Sequence, residues 1–70
     1  MADAIQLARE GTAANPESPL LQRTLGSLLE RDGRAAEAAA AYREYVRLAP
    51  NVEDAQQIQE RAEALSGKPK

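Results

Sequence analysis

The sequence predicts an all-α chain of four antiparallel helices, and three observations carry that reading. Its 70 residues are dominated by alanine, leucine, glutamate, arginine and glutamine, all strong helix formers. Prolines and glycines divide the chain into four helical segments. No stretch alternates polar and apolar residues with period two, and β-branched runs are missing, so no strand pattern competes.

The first helix is expected from Ala2 to Ala14, with Ile5, Ala8 and Thr12 at helical spacing and Asn15-Pro16 as its stop. The second runs from Pro19 to about Asp32. Ser18 is a good N-cap, and Pro19 takes the first helical position, where its missing N–H costs nothing. Leu21, Leu25, Leu28 and Leu29 form its apolar stripe, and Gly33 offers the left-handed conformation that closes a helix. The third helix, Ala35 to Leu48, carries Ala38, Tyr42, Tyr45 and Val46 on one side, and Pro50 closes it. Asn51 reads as the cap of the fourth, with Asp54 three residues on in place of the usual Glu or Gln. Its stripe is Val52, Ala55, Ile58, Ala62 and Leu65; Gly67 ends it, and the Lys68-Pro69-Lys70 tail is expected to be disordered.

The chain also repeats itself. Shifted by 34 residues, Ala4 falls on Ala38, Arg9 on Arg43, Glu10 on Glu44 and Pro16 on Pro50. Within residues 19–52 it reads Gln22-x₂-Leu25-Gly26-x₂-Leu29…Ala38-x₃-Tyr42…Pro50, which resembles the tetratricopeptide repeat, W-x₂-L-G-x₂-Y…A-x₃-F…P over 34 residues. Leu25, Gly26, Ala38 and Pro50 match; Tyr42 stands for phenylalanine, Gln22 for tryptophan and Leu29 for tyrosine. The resemblance implies a fragment of an α-solenoid in one domain over residues 1–67. It makes 2–16 the second half of a preceding repeat, 19–52 a full repeat and 52–66 a capping helix whose outer side is polar (Gln56, Gln59, Glu60, Glu63). The small residues Gly26 and Ala38 are expected on facing helices, where they permit close approach, with Tyr42 filling the space beside them.

Composition excludes several function classes. Nine basic and eleven acidic side chains are interspersed for a net charge of −2. The two aromatics, Tyr42 and Tyr45, fall at core positions. A nucleic-acid binder normally shows a basic stripe and stacking aromatics, so no nucleic-acid partner is expected. No apolar run approaches the roughly 18 residues of a membrane span, and Met-Ala-Asp-Ala-Ile-Gln lacks the basic start of a secretory signal. A soluble chain without membrane insertion is the expectation, and the absence of cysteine leaves its compartment open.

Catalysis is not expected either. The chain has no histidine and no cysteine, which removes the imidazole base and the thiol of nucleophilic catalysis and the usual zinc ligands. Glu30 and Asp32, two apart on a helix, point away from each other; Glu53 and Asp54 read as acids favoured by a helix N-terminus. Its four glycines are too far apart for a phosphate loop. No catalytic residue, metal site or cofactor is predicted.

The resemblance implies instead a protein–protein interaction module or adaptor, in which the first helix of each repeat lines a shallow groove for a peptide or a partner's helix. Carried over, the groove positions are Leu20, Arg23, Thr24, Ser27, Glu30 and Arg31, extended by Gln57 and Arg61. Arg23 and Ser27 occupy the places where some members set a lysine and, four residues later, an asparagine that clamp a C-terminal carboxylate. The full clamp draws on several repeats, and by itself Arg23 reads as a solvated surface charge. Two alternatives remain: a self-assembling scaffold without a peptide ligand, and a non-catalytic regulatory domain of a larger protein. Leu7 and Ala14 fall on the open side of the first helix. Either upstream sequence or a second copy is expected to cover them, and the small area involved implies weak homodimerisation.

Overall fold

A computed structural model describes residues 2–67 of the chain; the tail expected to be disordered lies outside them. Four helices pack in chain order: α1 (Ala2–Ala14), α2 (Pro19–Arg31), α3 (Ala35–Leu48) and α4 (Ala55–Leu65). No strand occurs among the described residues. Short connections make each helix antiparallel to the next, so α1 and α3 run one way and α2 and α4 the other. The result is a slab, with Cα extents of 34 × 26 × 14 Å.

Local chemistry sets most helix ends. Ser18 Oγ accepts from the Leu21 N–H at 3.4 Å, with Pro19 opening α2 behind it. At the other end Gly33 adopts φ 83°. Its N–H then donates to the Glu30 carbonyl and the Arg34 N–H to that of Leu29, the double bond of a Schellman closure. Only glycine reaches that dihedral without strain, and it turns the chain within three residues. The start of α4 differs from expectation. Asn51 does not cap it; residues 50–54 form turns and the helix begins at Ala55. Val52, expected in the apolar stripe, is consequently exposed. Asp54 holds the N-cap position, yet its carboxylate makes no capping bond, because residues of α2 and α3 engage it.

Two apolar clusters make the core. Ile5 and Ala8 of α1 meet Leu25 and Leu29 of α2 and Ala38 and Ala41 of α3, with Leu28 and Leu65 against them. Ala39 and Tyr42 of α3 meet Ala62 of α4, with Ile58 and Leu65 alongside. Leu29 is the one large side chain fully buried among the described residues; the rest of the interior is mostly alanine, which admits close helices but buries little area per residue. On α1, Leu7 and Ala14 face outward as the helical spacing requires, Leu7 being 68% exposed.

The closest approach lies between α2 and α3, at Gly26. A Cβ there would stand 2.7 Å from both Cδ1 and Cε1 of Tyr42, nearer than such atoms pack. The ring has little room to retreat, because its hydroxyl is held by Glu30 at 2.9 Å. Glycine inside a helix costs roughly 1 kcal/mol against alanine; here the contact with the ring offsets it. Gly26→Ala is therefore expected to lower the urea midpoint despite its better helix propensity. Gly26→Leu should cost about 1–3 kcal/mol or more through overpacking. Equilibrium urea unfolding of the two variants checks both, and a rise in either midpoint would contradict the packing at this crossing.

Candidate functional site

The face shared by α2 and α4 carries the chain's most organised polar constellation. Two ion pairs bridge the helices. Arg23 Nη1 of α2 lies 3.0 Å from Asp54 Oδ2 at the start of α4, and Glu30 of α2 pairs with Arg61 of α4. Both pairs span the same 31 residues. That identity follows from two helices running in the same direction, for a step of two turns along α2 matches a step of two turns along α4. The signs alternate: α2 presents base then acid, and α4 acid then base.

From beneath, α3 buttresses the acid of each pair. The Tyr42 hydroxyl donates to Glu30 Oε1 at 2.9 Å and the Tyr45 hydroxyl to Asp54 Oδ1 at 2.7 Å. Three residues apart on α3, the two rings fall on one face, their bodies buried and their hydroxyls reaching the rim. The Arg23 guanidinium lies 5.8 Å from the centre of the Tyr45 ring, within range of a cation–π attraction. Each end of the site thus consists of an arginine from one helix, a carboxylate from its neighbour and a tyrosine from the helix below.

The charges take their character from this arrangement. The Arg61 guanidinium holds the Glu30 carboxyl below its ordinary value, partly opposed by burial and assisted by the Tyr42 hydroxyl. Burial, followed by the hydrogen bond to Glu30 and then the charge of that carboxylate, pushes the Tyr42 phenol up. For Tyr45 the hydrogen bond to Asp54 comes first and burial second, again upward.

Between the two ends lies an open depression of ≈ 430 Å³, with Tyr42 and Ile58 as floor and Arg23, Ser27, Glu30, Gln57 and Arg61 as walls. Five of the eight residues predicted to line a groove therefore meet here. Leu20 and Thr24 border a shallower neighbouring depression of ≈ 290 Å³ with Arg23, Ser27 and Leu28; Leu20 is 68% exposed. Arg31 is exposed at the last turn of α2 and lines neither depression. Arg23 is not the isolated solvated charge its sequence position suggests, since it is paired with Asp54 and set beside Tyr45. Sequence reasoning also passed over Asp54, Tyr42, Tyr45 and Ile58 as site residues. One signal for the pairing was present: an arginine and a glutamate seven apart on α2, and an aspartate and an arginine seven apart ahead of and within α4.

On the opposite side, Arg9 of α1 bridges to Glu37 of α3 at 2.6 Å over a floor of Leu25, Leu29 and Ala41. Among the described residues, no group of three or more acidic, histidine or cysteine side chains is placed to hold a metal ion. No described helix is long and apolar enough to cross a membrane. Compared with known protein families, with curated proteins and with solved structures, the chain matches none.

The shifts at Glu30 and Tyr42 carry a pH dependence whose sign is fixed. Glu30 binds its proton more weakly folded than unfolded. Its contribution is complete above its ordinary pKa of 4.5 and is lost as pH falls through the lower folded value. Tyr42 binds its proton more tightly when folded, so its contribution is complete below pH 10.0 and is lost as pH rises through the folded value. Urea midpoints measured across pH should show Glu30→Gln flattening the acid limb and Tyr42→Phe the alkaline one. At neutral pH, Tyr42→Phe should cost about 1 kcal/mol, the net worth of a hydrogen bond.

Proposed function

We propose that this chain is a protein–protein interaction module of the tetratricopeptide type, which holds an extended peptide or a partner's helix along the face shared by α2 and α4. The observation that carries the reading is the depression between these two helices, where Arg23, Ser27, Glu30, Gln57 and Arg61 converge over Tyr42 and Ile58. The close crossing of Gly26 on Tyr42 and the full burial of Ala38 support the repeat reading, because those positions are small or aromatic in the repeat for that packing. The surface is shallow and rigidly backed, which suits a main chain with alternate side chains better than a small molecule. The reading is non-catalytic: Glu30, the carboxylate of the depression, and Asp54 beyond its Arg23 end are both taken up in ion pairs and tyrosine hydrogen bonds, leaving no free base beside a nucleophile.

A second reading, self-assembly without a peptide, rests on Leu7, whose side chain stands out from the face of α1 turned away from α2. The two readings separate in one experiment. Immobilised chain is used to capture proteins from a lysate, alongside Ser27→Trp, which fills the depression, and Leu7→Glu, which charges the outer face of α1. Loss of the captured protein with Ser27→Trp alone is the expected outcome. Nuclear magnetic resonance titration with the captured segment should then move the Arg23, Ser27 and Gln57 signals first. Capture that survives Ser27→Trp would place the partner elsewhere.

A further inference from the structure

Like α1 on α2, the fourth helix packs its backbone against a single neighbour, α3, and it reaches α2 only through side chains. The buried residues of α4 are alanines, Ala55 and Ala62, while Ile58 and Leu65 are half-buried. The rest of the attachment is polar, with half-exposed arginines: Arg23 and Tyr45 to Asp54, Glu30 to Arg61, and Arg43 to Ser66 at 3.1 Å. Exposed ion pairs contribute little and are screened by salt. No side chain caps the N-terminus of α4, since the Asp54 carboxylate is committed to Tyr45 and Arg23. By these measures α4 belongs among the elements that open before the whole fold does.

What α4 covers, by contrast, is apolar. Ala39 is fully buried beneath it, and the Tyr42 ring, already pressed on Gly26, forms the rest of the trough. Once α4 lifts away this strip needs another helix with small residues seven apart, an aliphatic side chain between them, an acid just ahead and a base seven residues after it. The segment that carries this pattern is α4 itself, through Asp54, Ala55, Ile58, Arg61 and Ala62. Residues 49–54 join it to α3 and reach about 20 Å when extended, enough to cross to a neighbouring molecule.

We propose that the trough on α3 beside α2 is an exchangeable helix-docking surface, and that its second occupant is α4 of another copy of this chain. Exchange forms the same contacts between molecules that α4 makes within one, so its cost is set by opening and concentration. Such a dimer is distinct from association through Leu7 on α1, and it does not depend on a peptide ligand.

A charge-reversal pair tests it on the full chain. Glu30→Arg alone sets like charges against Arg61, and Arg61→Glu alone sets like charges against Glu30, whether the chain is a monomer or a dimer with itself. In an equimolar mixture, exchange of α4 restores opposite charges at both junctions of a heterodimer. Sedimentation equilibrium from micromolar to millimolar should show each variant alone near the 7.5 kDa of one chain, and the mixture shifting to twice that mass. Combining both changes in one chain should return a monomer. Hydrogen exchange on the unaltered protein gives an independent readout. Amides of α4 should exchange about tenfold or more faster than those of α2 and α3, and faster still as salt rises. A mixture that sediments as its separate components overturns the proposal, as does a dimer that persists in each variant and vanishes with Leu7→Glu. Exchange of α4 at the same rate as α2 and α3 overturns it as well.

Discussion

One missing methyl group organises this molecule. Because Gly26 has no Cβ, the ring of Tyr42 lies directly against the α2 backbone, and α2 and α3 close on each other. The position of that ring fixes where its hydroxyl emerges, which is at Glu30. Glu30, oriented from below, then faces Arg61 across the gap to α4. Tyr45 stands one turn further along α3 and repeats the arrangement at the other end, through Asp54 and Arg23. The register of α4 on the α2–α3 pair therefore traces back to the crossing at Gly26. The polar contacts follow from a packing constraint rather than imposing one.

The interior explains why such contacts matter. A chain of 70 residues with an interior mostly of alanine buries little apolar area, and it has no disulfide to make up the difference. Tight approach compensates where α2 meets α3, around Leu25, Leu29 and Ala38. Further out, α4 adds Ala62 and parts of Ile58 and Leu65, and ion pairs carry a larger share of its attachment. Packing is densest between α2 and α3 and thinner toward both outer helices. The candidate groove is thus backed by the closely packed α2–α3 pair and walled on one side by α4.

The charges of the proposed groove are neutralised in place. Each arginine has its carboxylate and each carboxylate its tyrosine, so the face presents polarity without a strong net field. On the proposed reading, a partner would be selected by shape and by hydrogen bonding to Ser27 and Gln57 more than by long-range attraction. This agrees with the interspersed charge of the whole chain.

Most of the fold was legible in the sequence because most of it is local. Pro16 and Pro19, Ser18 and Gly33 set helix ends through bonds that reach only a few residues, and the stripes Ile5–Ala8 and Leu25–Leu29 followed from helical spacing. Glycine within a helical stretch, at Gly26, announced close packing before any partner was known. The start of α4 was misread for the opposite reason. Asp54 resembles part of a capping box, yet its carboxylate goes to Tyr45 and Arg23, nine and 31 residues away, and the helix begins later than the local pattern says. The candidate site was half legible. Its α2 and α4 positions could be assigned by repeat analogy. That Arg23 is paired, that Arg31 stands apart, and that two tyrosines of the core reach the rim depended on the relative register of three helices. Sequence alone determined most of the helix ends and most of the apolar faces, because those depend on backbone dihedrals and short-range caps. Tertiary structure alone decided which charges meet, because ion pairs between helices depend on a crossing whose geometry the neighbours of a residue in sequence do not set.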